Sequence, residues 1–282
     1  MAKIFLICTL VFLTLNGKNI EFPDFNLSHK ISNNKDDINL FKEIYNKNKI
    51  DNNIKQINVL PLIPLKIHQI WIGPKTLPDK FKWMIETWKK KHSNWTYKLW
   101  TNEDLKDFKL KNQKVFDMAT NWGAKADILR YEILNREGGV YVDIDFECLQ
   151  PLDILNQNYN FYCCIVENTN VIANGIIGSI ANHPILQKCI DDISRIKGFK
   201  GDFQSVWELT GPGVFTNAVR QYISVLTNQS KIIALPSSFF FPFPGYLRFD
   251  FWSKRLSRKD ILSYFKPESF AVHYWATSWQ EN

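Results

Sequence analysis

The sequence predicts an α/β fold, a sheet domain with helices packed on its faces. Two observations carry this. Short β-branched and aromatic runs alternate with helix-forming segments from about residue 60 onward, the pattern of sheets interleaved with helices. At residues 122–147 a helix free of Gly and Pro between Ala126 and Leu134 stops at Gly138-Gly139 and passes directly into the run Val140–Phe146, which suits a strand.

Taken in order, the chain opens with an apolar run from Ile4 to Leu15, flanked by Lys3 and Lys18. Twelve residues are short for a membrane span, which needs about 20. The run has the shape of a signal peptide or short signal anchor over residues 1–17, implying a secretory or export route and membrane association through the N-terminal segment. The bland alternative is an apolar strand or helix of a soluble protein. Residues 18–59 are rich in Lys, Asn and Asp and read as a stem or linker with one helix near Ile38–Tyr45. Residues 60–282 form the globular domain. Its expected elements are a strand at Lys66–Ile72, a helix carrying Phe81, Trp83, Met84, Ile85 and Trp88, and a strand at Tyr97–Trp100. Next come a helix opening at Glu103-Asp104, a helix over Lys111–Thr120, and the helix–glycine–strand unit. Beyond it lie strands at Phe161–Val166 and Val171–Ile177, helices at Pro184–Ile196 and Val214–Ile223, and a strand at Ile232–Leu235. A proline-broken aromatic loop over Pro236–Tyr246 precedes a last strand in Ser269–Trp279.

Composition narrows the function. With 282 residues, 45% apolar and 15% aromatic, the chain can bury a substantial core and is not a disordered protein. Its net charge of +7 fits an acidic partner such as a nucleotide diphosphate. There is no dense basic run interleaved with aromatics, so no nucleic-acid partner is expected. None of the five cysteines stands in a C-x-x-C pair. A zinc site is therefore not expected, and the four beyond the leader read as buried thiols. Sequons at Asn26, Asn94 and Asn228 arise easily in so Asn-rich a chain.

The chemistry concentrates in the central unit. Along a continuous strand, Tyr141, Asp143 and Asp145 share one face and Val140, Val142, Ile144 and Phe146 the other. Two carboxylates at a strand's carboxyl end suit a hard divalent cation that also binds substrate phosphates, although strand ends also carry acids for solubility. On the preceding helix Asp127 and Arg130 are three apart and so adjacent. They make either a surface ion pair or a carboxylate and guanidinium aimed at a ligand.

Several motifs in one order are more specific than any alone. His68-Gln-Ile-Trp71-Ile-Gly73, Tyr97-Lys-Leu-Trp-Thr101, Ala126-Asp127-x-x-Arg130-Tyr131 and Gly138-Gly-Val-Tyr141-x-Asp143-x-Asp145 resemble the DXD sugar-binding region of glycosyltransferase family 32. More distantly they are similar to the glucosylating domain of large clostridial toxins. The resemblance implies a GT-A type nucleotide-diphospho-sugar transferase fold, a Rossmann-like mixed sheet flanked by helices. It implies a nucleotide-sugar donor (UDP-hexose or GDP-mannose), Mn2+ or Mg2+, and a glycan, lipid-linked or protein acceptor. By position, Asp145 binds the metal, and Asp143 contacts ribose or sugar and supports the metal. Asp127 and Arg130 hold the donor sugar, and Tyr141 lines the nucleotide pocket. His68 to Ile72 meets the base, with Trp71 there or in the core.

The closing His273-x4-Ser278-Trp279 matches the family's end, which implies His273 as a third ligand and Ser278 and Trp279 over the diphosphate as part of a mobile lid. Away from the family, His273 reads as a hydrogen-bonded strand-end histidine. One imidazole among oxygens leans toward Mn2+. Asn174-Gly175 through Gly178 with His183-Pro184 is expected near the donor sugar, and Thr210 to Gly213 near the acceptor; Gly178 and Gly213 also fit ordinary turns. The family implies retention of anomeric configuration, and because no positioned nucleophile stands out in the sequence, front-face attack by the acceptor hydroxyl is expected. A catalytically silent carbohydrate-binding module and a D-x-D phosphohydrolase are the alternatives. The latter usually needs Thr or Ser two residues after the second aspartate, where this chain has Glu147.

Overall fold

The structure is a computed structural model that describes residues 35–50, 60–166, 171–226 and 231–277. The leader, the sequons at Asn26 and Asn228, and Ser278 and Trp279 lie outside the described residues. In chain order the elements are α1 (Lys35–Asn48), β1 (Lys66–Ile70), α2 (Asp79–Lys91), β2 (Thr96–Trp100), α3 (Gln113–Met118), α4 (Trp122–Glu137), β3 (Gly139–Val142) and β4 (Phe146–Cys148). They continue as α5 (Asp153–Asn158), β5 (Phe161–Ile165), β6 (Ile172–Ser179), α6 (Pro184–Ile193), α7 (Phe203–Leu209), α8 (Pro212–Ser224), β7 (Ile232–Leu235), α9 (Arg248–Trp252) and β8 (Ala271–His273).

Six strands form a mixed sheet in the order β2-β1-β3-β6-β5-β7. β1 runs parallel to β2 and β3, β6 is antiparallel to β3 and β5, and β7 returns parallel to β5. β4 and β8 form a separate antiparallel pair, Phe146 opposite His273. Helices α4, α6 and α8 pack on one another, α8 against β6 and α2 against β4. Every residue of β3, β5, β6 and β7 is buried, as expected for strands covered on both faces. The four described cysteines are buried and unbridged.

The central helix and its stop follow the sequence closely. Asn121 caps α4, its Oδ1 accepting from the N–H groups of Gly123 and Ala124 at 2.7 and 3.4 Å. Gly138 ends it at φ 63°, where a Cβ would meet the Ala181 nitrogen at 2.9 Å. Only glycine fits that close approach without strain. The helix is buried nearly all round, so it lacks a one-sided apolar stripe.

The continuous strand expected over Val140–Phe146 is not formed. β3 ends at Val142, Asp143-Ile144-Asp145 is a turn, and β4 begins at Phe146 in the other sheet. The Phe146 N–H donates to Asp143 O at 3.3 Å, and the Asp143 N–H donates to Gly175 O at 2.8 Å. Burial drives the break. Ile144 enters an apolar cluster with Phe81, Met84 and Phe243, while Val140, Val142 and Phe146 stay in the main core. Tertiary packing overrides a local β preference. The last strand likewise shrinks to Ala271–His273. The helix expected at Glu103-Asp104 is a short 3-10 turn in which Asp104 accepts from the N–H and hydroxyl of Thr101. Helix α7 was not legible as an element; Asp202 caps it through the Ser205 N–H at 2.7 Å.

Helix α1, drawn from the segment read as a stem, packs against β7 and α8 with Phe41 and Tyr45 fully buried. Phe41→Ala is expected to destabilise the protein by about 3–5 kcal/mol, the usual cost of emptying a core aromatic site. A urea midpoint equal to that of the wild type would show that α1 is not part of the cooperative unit.

Candidate active site

A cleft of about 600 Å³ opens at the carboxyl ends of β1 and β3, where open α/β sheets bind ligands. That volume lies in the usual range for small-molecule sites. Most of the residues singled out from sequence line it: Trp71, Asp127, Arg130, Tyr141, Asp143, Asp145, Asn174 and His273.

Its floor is a polar network built on α4. The Arg130 guanidinium contacts Asp127 Oδ1 at 3.0 Å and Asp143 Oδ1 at 3.1 Å, and Nη1 also donates to Asn174 O at 2.8 Å. Its flat face lies 4.4 Å from the Tyr141 ring centroid. Asp127 accepts from Asn174 Nδ2 at 2.8 Å and from the Thr210 hydroxyl at 3.1 Å. Asn174 Nδ2 also donates to the Tyr131 hydroxyl oxygen at 3.0 Å. Of the two readings of this pair, the surface ion pair is not what forms: both side chains are interior, where unmatched charges would be costly and every partner counts.

Asp143 is held from three sides. Tyr141 donates its hydroxyl to Oδ1 at 2.6 Å, and Gln69 Nε2 donates to the Asp143 carbonyl at 3.1 Å, itself anchored by Tyr97 at 2.7 Å. Gly175 lies so close that a Cβ there would sit 2.7 Å from Asp143 Oδ2. Asp145 is set by the C-terminal arm: His273 Nε2 is 3.0 Å from Oδ1, the Ala276 N–H donates to Oδ2 at 2.7 Å, and the Tyr274 N–H donates to the Asp145 carbonyl at 3.0 Å. Next to this, Glu147 receives the Arg258 guanidinium and the Tyr274 hydroxyl, the latter at 2.6 Å.

Asp143, Asp145 and His273 offer ligand atoms within 4.8 Å of one another. His273 Nδ1 is buried and has no hydrogen-bond partner among the described residues. Two carboxylates and an imidazole with an unspent nitrogen fit a divalent cation that accepts oxygen and nitrogen together.

The acids titrate apart. Burial pushes Asp127 up to about 6, with Arg130 pulling down and Asp143 pushing up. Burial also raises Asp143 despite Arg130. At Asp145 burial acts upward too, but the His273 charge and the hydrogen bonds from His273 and Ala276 outweigh it and the net shift is down.

Some expected residues sit elsewhere. The His68 ring does not line the cleft: it is buried, with Nε2 3.0 Å from Gly138 O and Trp100 Nε1 donating to Nδ1 at 3.2 Å. These partners select the neutral Nε2–H tautomer, and burial lowers its pKa. Its observed contacts brace the glycine stop; the contact with the base is expected from backbone groups of the His68–Ile72 strand end and from Trp71, which lines the cleft. His183 stacks on Phe161 at 4.6 Å and accepts from the Ile185 N–H to cap α6, outside the cleft. Gly178 is no turn residue; it lies within β6, and a Cβ would overlap the Tyr162 ring. Sequence reasoning missed the Gln69 brace, the Thr210 hydroxyl on Asp127, and Arg248, which lines the cleft from α9. The Gln69 and Thr210 motifs were in view, but a contact between distant segments leaves no local signal.

A GT-A fold with these groups at its strand ends defines a glycosyltransferase, and the comparisons with known proteins agree. The family described as "Glycosyltransferase sugar-binding region containing DXD motif" matches residues 78–162. A protein of Acanthamoeba polyphaga mimivirus named as an uncharacterized glycosyltransferase is 31% identical over 63% of this chain and 72% of its own length. Inositol phosphoceramide mannosyltransferase 2 of Schizosaccharomyces pombe is 29% identical over 58% of this chain. That match spans only 48% of the yeast protein's own length. The solved structure titled PaToxG Glycosyltransferase aligns with a TM-score of 0.51 at 19% identity, over 87% of this chain and 90% of that one, a likeness of fold. The chain belongs to glycosyltransferase family 32, the DXD-containing sugar-binding family.

The raised pKa of Asp127 sets a stability prediction. Its folded pKa, about 6, exceeds the ordinary 3.8, so its contribution is greatest below pH 3.8 and is lost as pH rises through 6. Relative to Asp127→Asn, wild-type stability should fall across that window by on the order of 3 kcal/mol. Urea titrations of both proteins giving a pH-independent difference would remove this account.

Proposed function

We propose that the protein transfers a hexose from a nucleotide-sugar donor, a UDP-hexose or GDP-mannose, to a glycan, lipid-linked or protein acceptor with retention at the anomeric carbon. The observation that carries the reading is that the Asp127–Arg130–Asn174–Thr210 network and the Asp143–Asp145–His273 cluster face one cleft. One relative is named for inositol phosphoceramide, which supports a lipid as one branch of the acceptor class.

Mn2+, or Mg2+, would be held by Asp143, Asp145 and His273 and would supply charge neutralisation for the departing diphosphate. The chain's own residues do the rest. Asp127 and Arg130 orient the sugar hydroxyls from a rigid helix, and Asn174 and Thr210 keep Asp127 in place. Tyr141 steers Asp143 through its hydroxyl, and Trp71 lines the nucleotide end of the cleft. Among the described residues, no carboxylate outside the metal and sugar sets lines the cleft to act as a nucleophile. The acceptor oxygen forms its bond to the anomeric carbon on the face from which the diphosphate departs, and the acceptor proton passes to a diphosphate oxygen. Ser278 and Trp279 would close over the diphosphate, as the family resemblance implies.

Residues 60–282 are taken as the catalytic domain, with the N-terminal apolar run directing the chain to a secretory or export route. No helix among the described residues is long and apolar enough to cross a membrane.

The test is a panel of UDP- and GDP-sugars with Mn2+, read as release of nucleoside diphosphate. One donor is expected to raise the melting temperature by mass action and to be consumed with retained anomeric configuration by NMR. Asp145→Asn should lower turnover by about 100-fold or more. An inverted product anomer would overturn the front-face mechanism, and release of inorganic phosphate alone would favour hydrolase chemistry. Gly175→Ala places a methyl against Asp143 and should lower Mn2+ affinity about tenfold with little change in melting. Unaltered Mn2+ binding in that variant would count against Asp143 as a ligand.

A further inference from the structure

Among the described residues two arginines line the cleft, and they stand in opposite states. Arg130 is saturated by the protein, with contacts to Asp127, Asp143 and the carbonyls of Asn174 and Ala126. Its charge is already answered by two carboxylates. Arg248, at the start of α9, makes one hydrogen bond among the described residues, from Nη1 to Gly245 O at 3.2 Å, and its Nε is buried with no partner. The protein therefore uses one of the guanidinium's five N–H donors among the described residues, which leaves most of its donor capacity for a ligand in the cleft.

The segment bearing Arg248 is built into the site. Trp275 Nε1 donates to Phe243 O at 2.8 Å, and a Cβ on Gly245 would lie 3.3 Å from the Trp275 ring. That same ring is 4.5 Å from His273, centroid to centroid. The Phe249 ring supports the guanidinium at 4.3 Å. Arg248 is thus held on the side of the cleft that carries the His273 arm. Lys75 lines the cleft as well, in the turn whose carbonyl accepts from Trp71 Nε1 at 2.8 Å.

The charges in the cleft need such a group. Asp127, Asp143 and Asp145 place three carboxylates around a single answered arginine, so a divalent cation only brings these groups to neutrality and they offer a diphosphate no surplus positive charge. We propose that Arg248 is an anion-binding residue of this cleft and donates to the diphosphate of the nucleotide-sugar donor through the terminal N–H groups of its guanidinium. A planar fork of N–H donors matches phosphate oxygens in a way a point charge does not. The inference rests on the nucleotide-sugar reading of the cleft and adds to it the residue that meets the leaving group.

The experiment measures binding of Mn2+ alone, then of inorganic pyrophosphate, UDP and GDP in the presence of Mn2+, by calorimetry on the full chain. The proteins compared are wild type, Arg248→Gln, Arg248→Ala and, as a control on the same segment, Arg255→Ala, whose partner is Asp250 on the surface. Pyrophosphate reads the diphosphate contact whichever base the enzyme prefers. Arg248→Gln and Arg248→Ala are expected to weaken pyrophosphate and nucleotide binding by about tenfold or more, with Mn2+ affinity and melting temperature unchanged and Arg255→Ala like wild type. Equal pyrophosphate affinity in wild type and Arg248→Gln overturns the assignment, as does a parallel loss of Mn2+ affinity, which marks general distortion. A wild type that binds Mn2+ but none of the three phosphate probes removes the nucleotide-sugar reading itself, and the role of Arg248 with it.

Discussion

One exchange of strand partners, made within three residues, governs the cleft. At Val142 the chain leaves the six-stranded sheet, and at Phe146 it joins β8. Along an unbroken strand, side chains on one face are spaced by two rises of about 3.3 Å each and point in parallel. The turn makes Asp143 and Asp145 converge and lets them share space with His273. Two neighbours make the exchange possible. Gly175 accepts the Asp143 N–H through its carbonyl and, lacking a Cβ, leaves room for the carboxylate. Gln69, pinned by Tyr97, donates to the Asp143 carbonyl alongside the Phe146 N–H.

Three carboxylates then occupy a region of low dielectric, and the protein separates their behaviour by what each one faces. Asp145 faces donors, the His273 ring and the Ala276 N–H, and is held as an anion. Asp127 shares its arginine with Asp143 and is pushed toward neutrality by burial. Divergent environments of this kind give similar side chains different duties. The saturation of Arg130 follows from the same sharing: a guanidinium between two acids orients them both but has little charge left for a third anion.

The helix–glycine–strand unit was legible because each of its devices is local: a cap at Asn121, good helix formers after it, and glycine at a left-handed stop. The residues of the cluster were legible through their spacing in a known family pattern. What was hidden depended on distant partners. The break at Asp143-Ile144-Asp145 is invisible in a run of β-formers, since it is decided by Ile144 reaching Phe81 and Phe243. His68 was in a diagnostic motif, yet its ring braces Gly138 instead of lining the cleft. Arg248 gave no signal because the segment around it has neither clear helical nor strand periodicity, and only the fold of the 243–248 turn onto Trp275 brings it to the site.

The arm after β8 is a second structure that depends on Asp145. Trp275 and Thr277 adopt φ of 53° and 45°, a left-handed backbone that is costly for an aromatic and a β-branched residue. Such a conformation persists only where surrounding contacts over-determine it. Here those contacts are directional: the Ala276 N–H to Asp145, Trp252 Nε1 to the Tyr274 carbonyl at 2.7 Å, Trp275 Nε1 to the Phe243 carbonyl, and the Tyr274 hydroxyl to Glu147. Asp145 therefore serves two structures at once, the acidic cluster and the strained arm. A ligand that engages the Asp145 carboxylate would meet the same oxygens that accept from the Ala276 N–H and face the His273 ring, so it would have to share them with the donors that hold the arm.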